Sequence, residues 1–166
     1  MTRFYCPAKL APGAQPELPE NAARHAARVL RLKPGDAVTL FNGDGFDYRC
    51  ELLRVSKESV SAKVLAQTAV ERESPLRVTL AQCISAGDRM DYTLQKAVEL
   101  GIARIQPLAA ERSVVKLSGE RADKRAQHWQ NVVNAACEQS GRAIVPEVLP
   151  PLPLLTWLGE AQNYAL

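Results

Sequence analysis

A fifteen-residue stretch with glycine at both ends, GDRMDYTLQKAVELG at positions 87–101, limits the possible folds of this chain more than any other. Asp88 is placed to cap a first helical turn, and Gly101 tolerates the left-handed conformation that follows a last one. Between them Met90, Leu94, Ala97, Val98 and Gly101 recur at helical spacing and define a face expected to lie on a sheet. Tyr92, Gln95, Lys96 and Glu99 fall on the opposite side, within an arc of roughly 100°. The flanking runs at 77–85 and 102–108 are short and apolar enough for strands. Strand, helix and strand predict a right-handed parallel βαβ unit.

Composition narrows the class. With 166 residues, 46% hydrophobic and 5% aromatic, the chain has the make-up of a soluble globular protein of one large or two small domains. A formal charge of +3 does not by itself mark a nucleic-acid binder. Residues 1–75 hold 11 basic and 9 acidic residues and the remainder 10 and 9, so any basic patch must be local. Cys6, Cys50, Cys83 and Cys137 are widely separated and form no CxxC pair, which reads as reduced thiols of a cytosolic protein. No secretion signal and no apolar run near 20 residues is present, so the expectation is cytoplasmic, with no membrane partner.

Residues 1–73 read as a β-rich domain with one helix. An edge strand is expected at 3–6, then a loop at 8–19 kept non-helical by Pro12, Pro16 and Pro19. Asn21 is expected to cap a helix running to about Leu32, ended by Lys33-Pro34-Gly35-Asp36. Strands are expected at 37–41, 46–55 and 60–65, joined by Asn42-Gly43-Asp44-Gly45 and Ser56-Lys57-Glu58-Ser59. Three antiparallel strands under a helix predict a barrel-like module, with the polar segment 67–74 as linker. Residues 76–166 then alternate strand and helix: the βαβ unit, a loop at 109–118, a long helix at 120–140 ended by Gly141, a strand at 143–148, a short helix at 154–162 and a strand beginning at 164–166. In open α/β sheets the loops after carboxyl strand ends hold the ligands, which singles out 109–118.

The first helix carries a one-sign face. Arg24, Arg28 and Arg31 fall at i, i+4 and i+7, opposite Ala22, Ala26, Val29 and Leu30, and no acid lies between Asn21 and Gly35. A solvated face ordinarily mixes signs, so phosphate contact by guanidinium groups competes with that plainer reading. His25 lies off the stripe and reads as a packed or hydrogen-bonded residue. With only His25 and His128 in the chain, no metal site is expected. Gln95, Lys96 and Glu99 form a polar cluster, with an exposed Lys96–Glu99 pair as the plain alternative. The Gly43-Asp44-Gly45 sequence opens into a strand, which excludes a dinucleotide loop, and no Walker loop, GxSxG elbow or zinc-protease helix is present.

Taken together, His25-Ala-Ala-Arg28-Val-Leu-Arg31, Lys33-Pro-Gly-Asp36, Phe41-Asn-Gly43, Gln95-Lys-Ala-Val-Glu-Leu-Gly101, Glu111-Arg-Ser-Val-Val-Lys116 and Glu138-Gln-Ser-Gly-Arg142 resemble one family over essentially the whole chain. It is the bacterial small-subunit (16S) ribosomal RNA uracil-N3 methyltransferases of the SPOUT class. The resemblance implies an α+β two-domain fold: a PUA-like RNA-binding β-barrel at 1–73, then the N-terminal part of an α/β SPOUT methyltransferase domain of trefoil-knot type at 76–166. It further implies S-adenosyl-L-methionine as cofactor, small-subunit ribosomal RNA and not DNA as partner, and a homodimer. RNA contact is implied for Arg3, Arg24, Arg28, Arg31 and Lys33, and a place near the reacting base for Arg112, Gln139 and Arg142. The family's GPEGG-type loop and later knot segment have no counterpart before Leu166. The expectation is therefore a domain truncated before the knot, with no complete cofactor pocket and no activity by itself. From another class, the alternative is a non-catalytic RNA-binding module with an oligomerising α/β remnant.

Overall fold

The computed structural model describes residues 2–111 and 119–160. Arg112 and the strand expected from 164 lie outside them. The chain divides into two compact units, Met1–Glu73 with Cys137–Val145, and Ser74–Ala136 with Pro146–Leu166.

The first unit is built on a four-stranded sheet in the order β1 (Arg3–Tyr5), β2 (Ala37–Phe41), β3 (Phe46–Val55), β4 (Val60–Ala69). β1 runs parallel to β2 and the other pairs are antiparallel. Strict alternation sends Tyr48, Cys50 and Leu52 of β3 and Val60, Ala62 and Val64 of β4 inward, where they meet Phe4, Val38 and Leu40. Helix α1 (Glu20–Arg24) and the π-helical turn His25–Val29 cover this face through Ala22, Ala23 and Ala26.

The proline-bearing loop before α1 lies along the open edge of β4. The N–H groups of Gly13 and Leu18 donate to the carbonyls of Val64 and Val60 (2.8 and 2.9 Å), and those of Val64 and Ala62 donate to Ala14 and Pro16 (2.9 and 3.1 Å). Residues that lack a donor are thus used at the sheet's edge, and the exposed ladder is covered.

Three expectations are corrected by this unit. Pro19 holds the N-cap position of α1 without a side-chain cap, and Asn21 lies one residue inside the helix. Val29 and Leu30, placed with Ala22 and Ala26 on the face opposite the arginines, do not share the burial of those alanines but are 68% and 38% exposed, because the wider π turn rotates them away from the core. The segment read as a linker is partly strand, since Gln67, Thr68 and Ala69 pair with Tyr48, Asp47 and Phe46.

In the second unit β5 (Thr79–Cys83), α2 (Asp88–Glu99) and β6 (Arg104–Ala109) form the expected parallel βαβ unit, and β7 (Glu147–Val148) and β8 (Leu152–Pro153) also pair with β6 in parallel. Met90, Leu94 and Val98 bury the inner face of α2. Gly101, at φ 90°, ends it: its N–H donates to Val98 and that of Ile102 to Ala97. Gly87, not Asp88, is the N-cap; Asp88 sits in the first turn, where its charge suits the helix dipole.

Helix α3 (Glu120–Ser140) buries Trp129, Val133 and Ala136, and α4 (Leu154–Glu160) follows β8. The Gln130 side chain accepts the N–H of Val148 (2.9 Å) and donates to the carbonyl of Pro146 (3.1 Å), fixing the short β7.

The strand expected at 143–148 is reduced to its last two residues. The preceding apolar residues pack in the first unit instead: the carbonyl of Ala143 accepts the Gly45 N–H (3.2 Å), and Val145 lies 3.5 Å from the position a Cβ on Gly43 would take. Residues 137–145, assigned by their sequence texture to the C-terminal domain, therefore complete the N-terminal unit.

Candidate nucleic-acid interface

The end of the first helix sets the geometry of the main candidate site. The N–H of Leu30 reaches back five residues to His25 (3.0 Å), and that of Leu32 six residues to Ala26 (3.0 Å). Between them Arg31 adopts φ 52°, the one positive value at a non-glycine among the described residues. The Lys33–Asp36 turn follows, closed by the Lys33 N–H on the Asp36 carboxylate (2.7 Å) and the Gly35 N–H on Leu52 (2.8 Å).

This course carries Arg28, Arg31 and Lys33 to a cleft of about 730 Å³, whose far side is Val55, Ser56 and Lys57 at the β3–β4 hairpin. Arg28, Arg31, Lys33 and Lys57 are exposed, and none forms an ion pair among the described residues. Arg24 stands apart, paired with Glu20 one turn earlier, so the stripe is not of one sign at its start. Lys57 is a site residue that sequence reasoning missed. Its signal was a cation at the tip of a hairpin connector, and only the packing of helix against hairpin relates it to 28–33.

Other implied residues are placed differently. Arg3, expected at the RNA, is turned inward, 13% exposed: it pairs with Asp47, donates to the carbonyl of Arg142 (3.1 Å) and lies over the Phe41 ring at 4.7 Å. Arg142, expected beside the reacting base, is 8% exposed, with Nε and Nη2 on the two carboxylate oxygens of Glu73, the former at 3.1 Å. Lys96 bonds both carboxylate oxygens of Glu99 (2.9 and 3.0 Å), the plain surface pair.

Gln139, by contrast, is exposed at the rim of a second, polar cleft of about 590 Å³, which also takes in Arg3, His25, Arg72 and Glu138. Glu138 accepts the Tyr5 N–H (2.8 Å). Burial pushes its carboxyl pKa above the ordinary 4.5, while that N–H and the charges of His25 and Arg3 pull the other way. A carboxyl raised in the folded state stabilises the fold below its unfolded pKa, and that contribution is lost as pH rises through the folded value. Glu138→Gln keeps the acceptor and has no charge to bury. The variant is expected to match the parent in urea midpoint below pH 4.5 and to exceed it at neutral pH; a variant less stable at neutral pH would reverse the sign.

Two family descriptions match the chain. Residues 18–65 match the RNA methyltransferase PUA domain, and residues 72–166 match the RNA methyltransferase domain; the chain belongs to this RNA methyltransferase family, with an N-terminal PUA-like domain in a two-domain α+β fold. Among its relatives, the ribosomal RNA small subunit methyltransferase E of Bacillus subtilis is 39% identical over 125 residues, covering 75% of this chain and 49% of the relative. The protein of the same name from Buchnera aphidicola subsp. Schizaphis graminum is 31% identical over 140 residues, 84% of this chain and 57% of the relative. The crystal structure of a ribosomal RNA small subunit methyltransferase E from Neisseria gonorrhoeae bound to S-adenosyl methionine superposes with a TM-score of 0.89 at 45% identity, covering 99% of this chain and 66% of the other. The chain thus spans about half the length of the first two relatives.

Proposed function

We propose that this chain takes part in S-adenosylmethionine-dependent methylation of small-subunit ribosomal RNA at N3 of a uridine, its first unit holding the RNA through Arg28, Arg31 and Lys33. The observation that carries the proposal is the cleft those three residues line, cationic and without ion pairs among the described residues, in the unit that overlaps the PUA match. Phosphate contact of this kind positions an RNA without reading it. Family membership and the S-adenosyl methionine bound in the Neisseria relative support the cofactor. A cytoplasmic homodimer belongs to the same reading.

The cofactor, when bound, supplies the methyl group. At the carboxyl ends of β5 and β6, where sheets of this type take ligands, Asp88 and Glu111 suit ribose hydroxyls, and Arg89, beside Asp88, would suit a carboxylate. On the RNA side, a uracil N3 becomes nucleophilic only as its proton leaves, with charge developing on the flanking carbonyls. Gln139, exposed at the rim of the polar cleft, is the described residue assigned to hydrogen-bond such a base.

RNA binding as a function of salt tests the assignment. Arg28→Ala and Arg31→Ala are each expected to lower the slope of log affinity against log salt by about 0.7–0.9 per lost phosphate contact. Parent slopes in both variants would leave the stripe an ordinary solvated face.

A further inference from the structure

We infer that the cleft between the end of the first helix and the β3–β4 hairpin seats a run of consecutive phosphodiesters and reads no base, with Lys57 and the strained Arg31 completing it; this rests on the RNA-binding reading above. The first ground is what the cleft offers. Arg28, Arg31, Lys33 and Lys57 are its charged groups, and the rest is aliphatic except for Ser56. The Ser56 hydroxyl is already committed, donating to the Ser59 carbonyl (3.0 Å) and accepting from the N–H groups of Glu58 and Ser59 (3.3 and 3.0 Å). No amide, carboxylate or aromatic side chain lines the cleft. Arginine and lysine can donate to a guanine edge, but reading the other bases calls for acceptors or amides, and stacking calls for a ring or a guanidinium platform free of phosphate. Four cations on two elements instead match a repeating negative charge.

The second ground is Arg31 itself. A left-handed position at a helix end is one that glycine occupies without strain, and an arginine there carries a steric cost. Backbone strain of this kind persists where the surrounding structure over-determines it and gathers at sites that bind. In this helix the cost places a guanidinium in the cleft opposite Lys57, at the end of a π turn.

The test measures fluorescence anisotropy of RNA oligonucleotides with different sequences, at 50 and 200 mM salt, on the parent, Arg28→Ala, Lys57→Ala and Arg31→Gly. For Lys57→Ala the ratio of affinities at the two salts is expected to shrink by about threefold, equally for every sequence. Arg31→Gly is expected to lose the same salt-dependent part while its melting temperature rises, because glycine removes the strain. If Arg28→Ala lowers the slope but Lys57→Ala and Arg31→Gly do not, the inference falls and the RNA-binding reading stands. A loss confined to one RNA sequence also overturns it, since the cleft would then read bases. A parent whose RNA binding has no salt dependence removes both readings at once.

Discussion

Arg142→Ala is expected to destabilise the protein by about 3–5 kcal/mol, the range for breaking a buried ion pair by removal of one partner. The pair is bidentate, Nε and Nη2 of Arg142 on both oxygens of Glu73, with side-chain exposures of 8% and 24%. Truncation leaves the Glu73 carboxylate desolvated without its fork and removes a side chain from the same cluster as Arg3, which donates to the Arg142 carbonyl. For a chain of this size the loss corresponds to roughly 10 °C in melting temperature. Arg142→Lys keeps the charge but not the fork, and its loss is expected to be intermediate. The measurement also bears on the role implied by resemblance. A residue that only touched a reacting base would leave the melting temperature within a degree or so of the parent, and that result would rule out a structural role for the pair.

The second large effect is expected at Trp129, the largest fully buried side chain among the described residues. Trp129→Ala removes an indole with 0% exposure from the second unit and is expected to cost about 3–5 kcal/mol, as transfer and cavity contributions add. Its Nε1–H is buried without a hydrogen-bond partner among the described residues. A buried donor left unsatisfied costs about 1–3 kcal/mol. Trp129→Phe removes that donor along with part of the ring, and its net loss is expected to stay below about 2 kcal/mol because the two effects oppose each other. Urea unfolding followed by far-ultraviolet circular dichroism compares the variants without relying on the fluorophore removed. An alanine variant within about 1 kcal/mol of the parent would mean that the site collapses around the gap.

These two residues show where the sequence was legible. Trp129 lies in the helix expected at 120–140, and Met90, Leu94 and Val98 recur at helical spacing between Gly87 and Gly101; local spacing identified the inner face of α2 because local packing decides it. The pairing of Arg142 with Glu73 was not legible because the two lie 69 residues apart, and no local pattern relates them. The strand expected at 143–148 failed for a similar reason: a short apolar run states that it will be buried, not in which unit. Asn21 and Asp88 have the right chemistry for caps, but Pro19 and Gly87 hold those positions. The arginine stripe assumed a uniform helix, and the π turn after Arg24 changes which residues point outward. Lys57 enters the site only through tertiary packing of the hairpin tip.

The return of residues 137–145 to the first unit has a consequence for the order in which the protein is made. Glu73 leaves the ribosome long before Arg142, and Arg3 must wait for a carbonyl that lies 139 residues further along the chain. At about 5–20 residues per second, the stretch from 73 to 145 takes on the order of 4–14 s to synthesise. During that interval the nascent sheet holds an unpartnered carboxylate at Glu73 and lacks the chain that Gly43 and Gly45 will meet. The N-terminal unit is thus begun first and finished late, and a fragment ending at residue 73 represents the nascent intermediate rather than the finished unit.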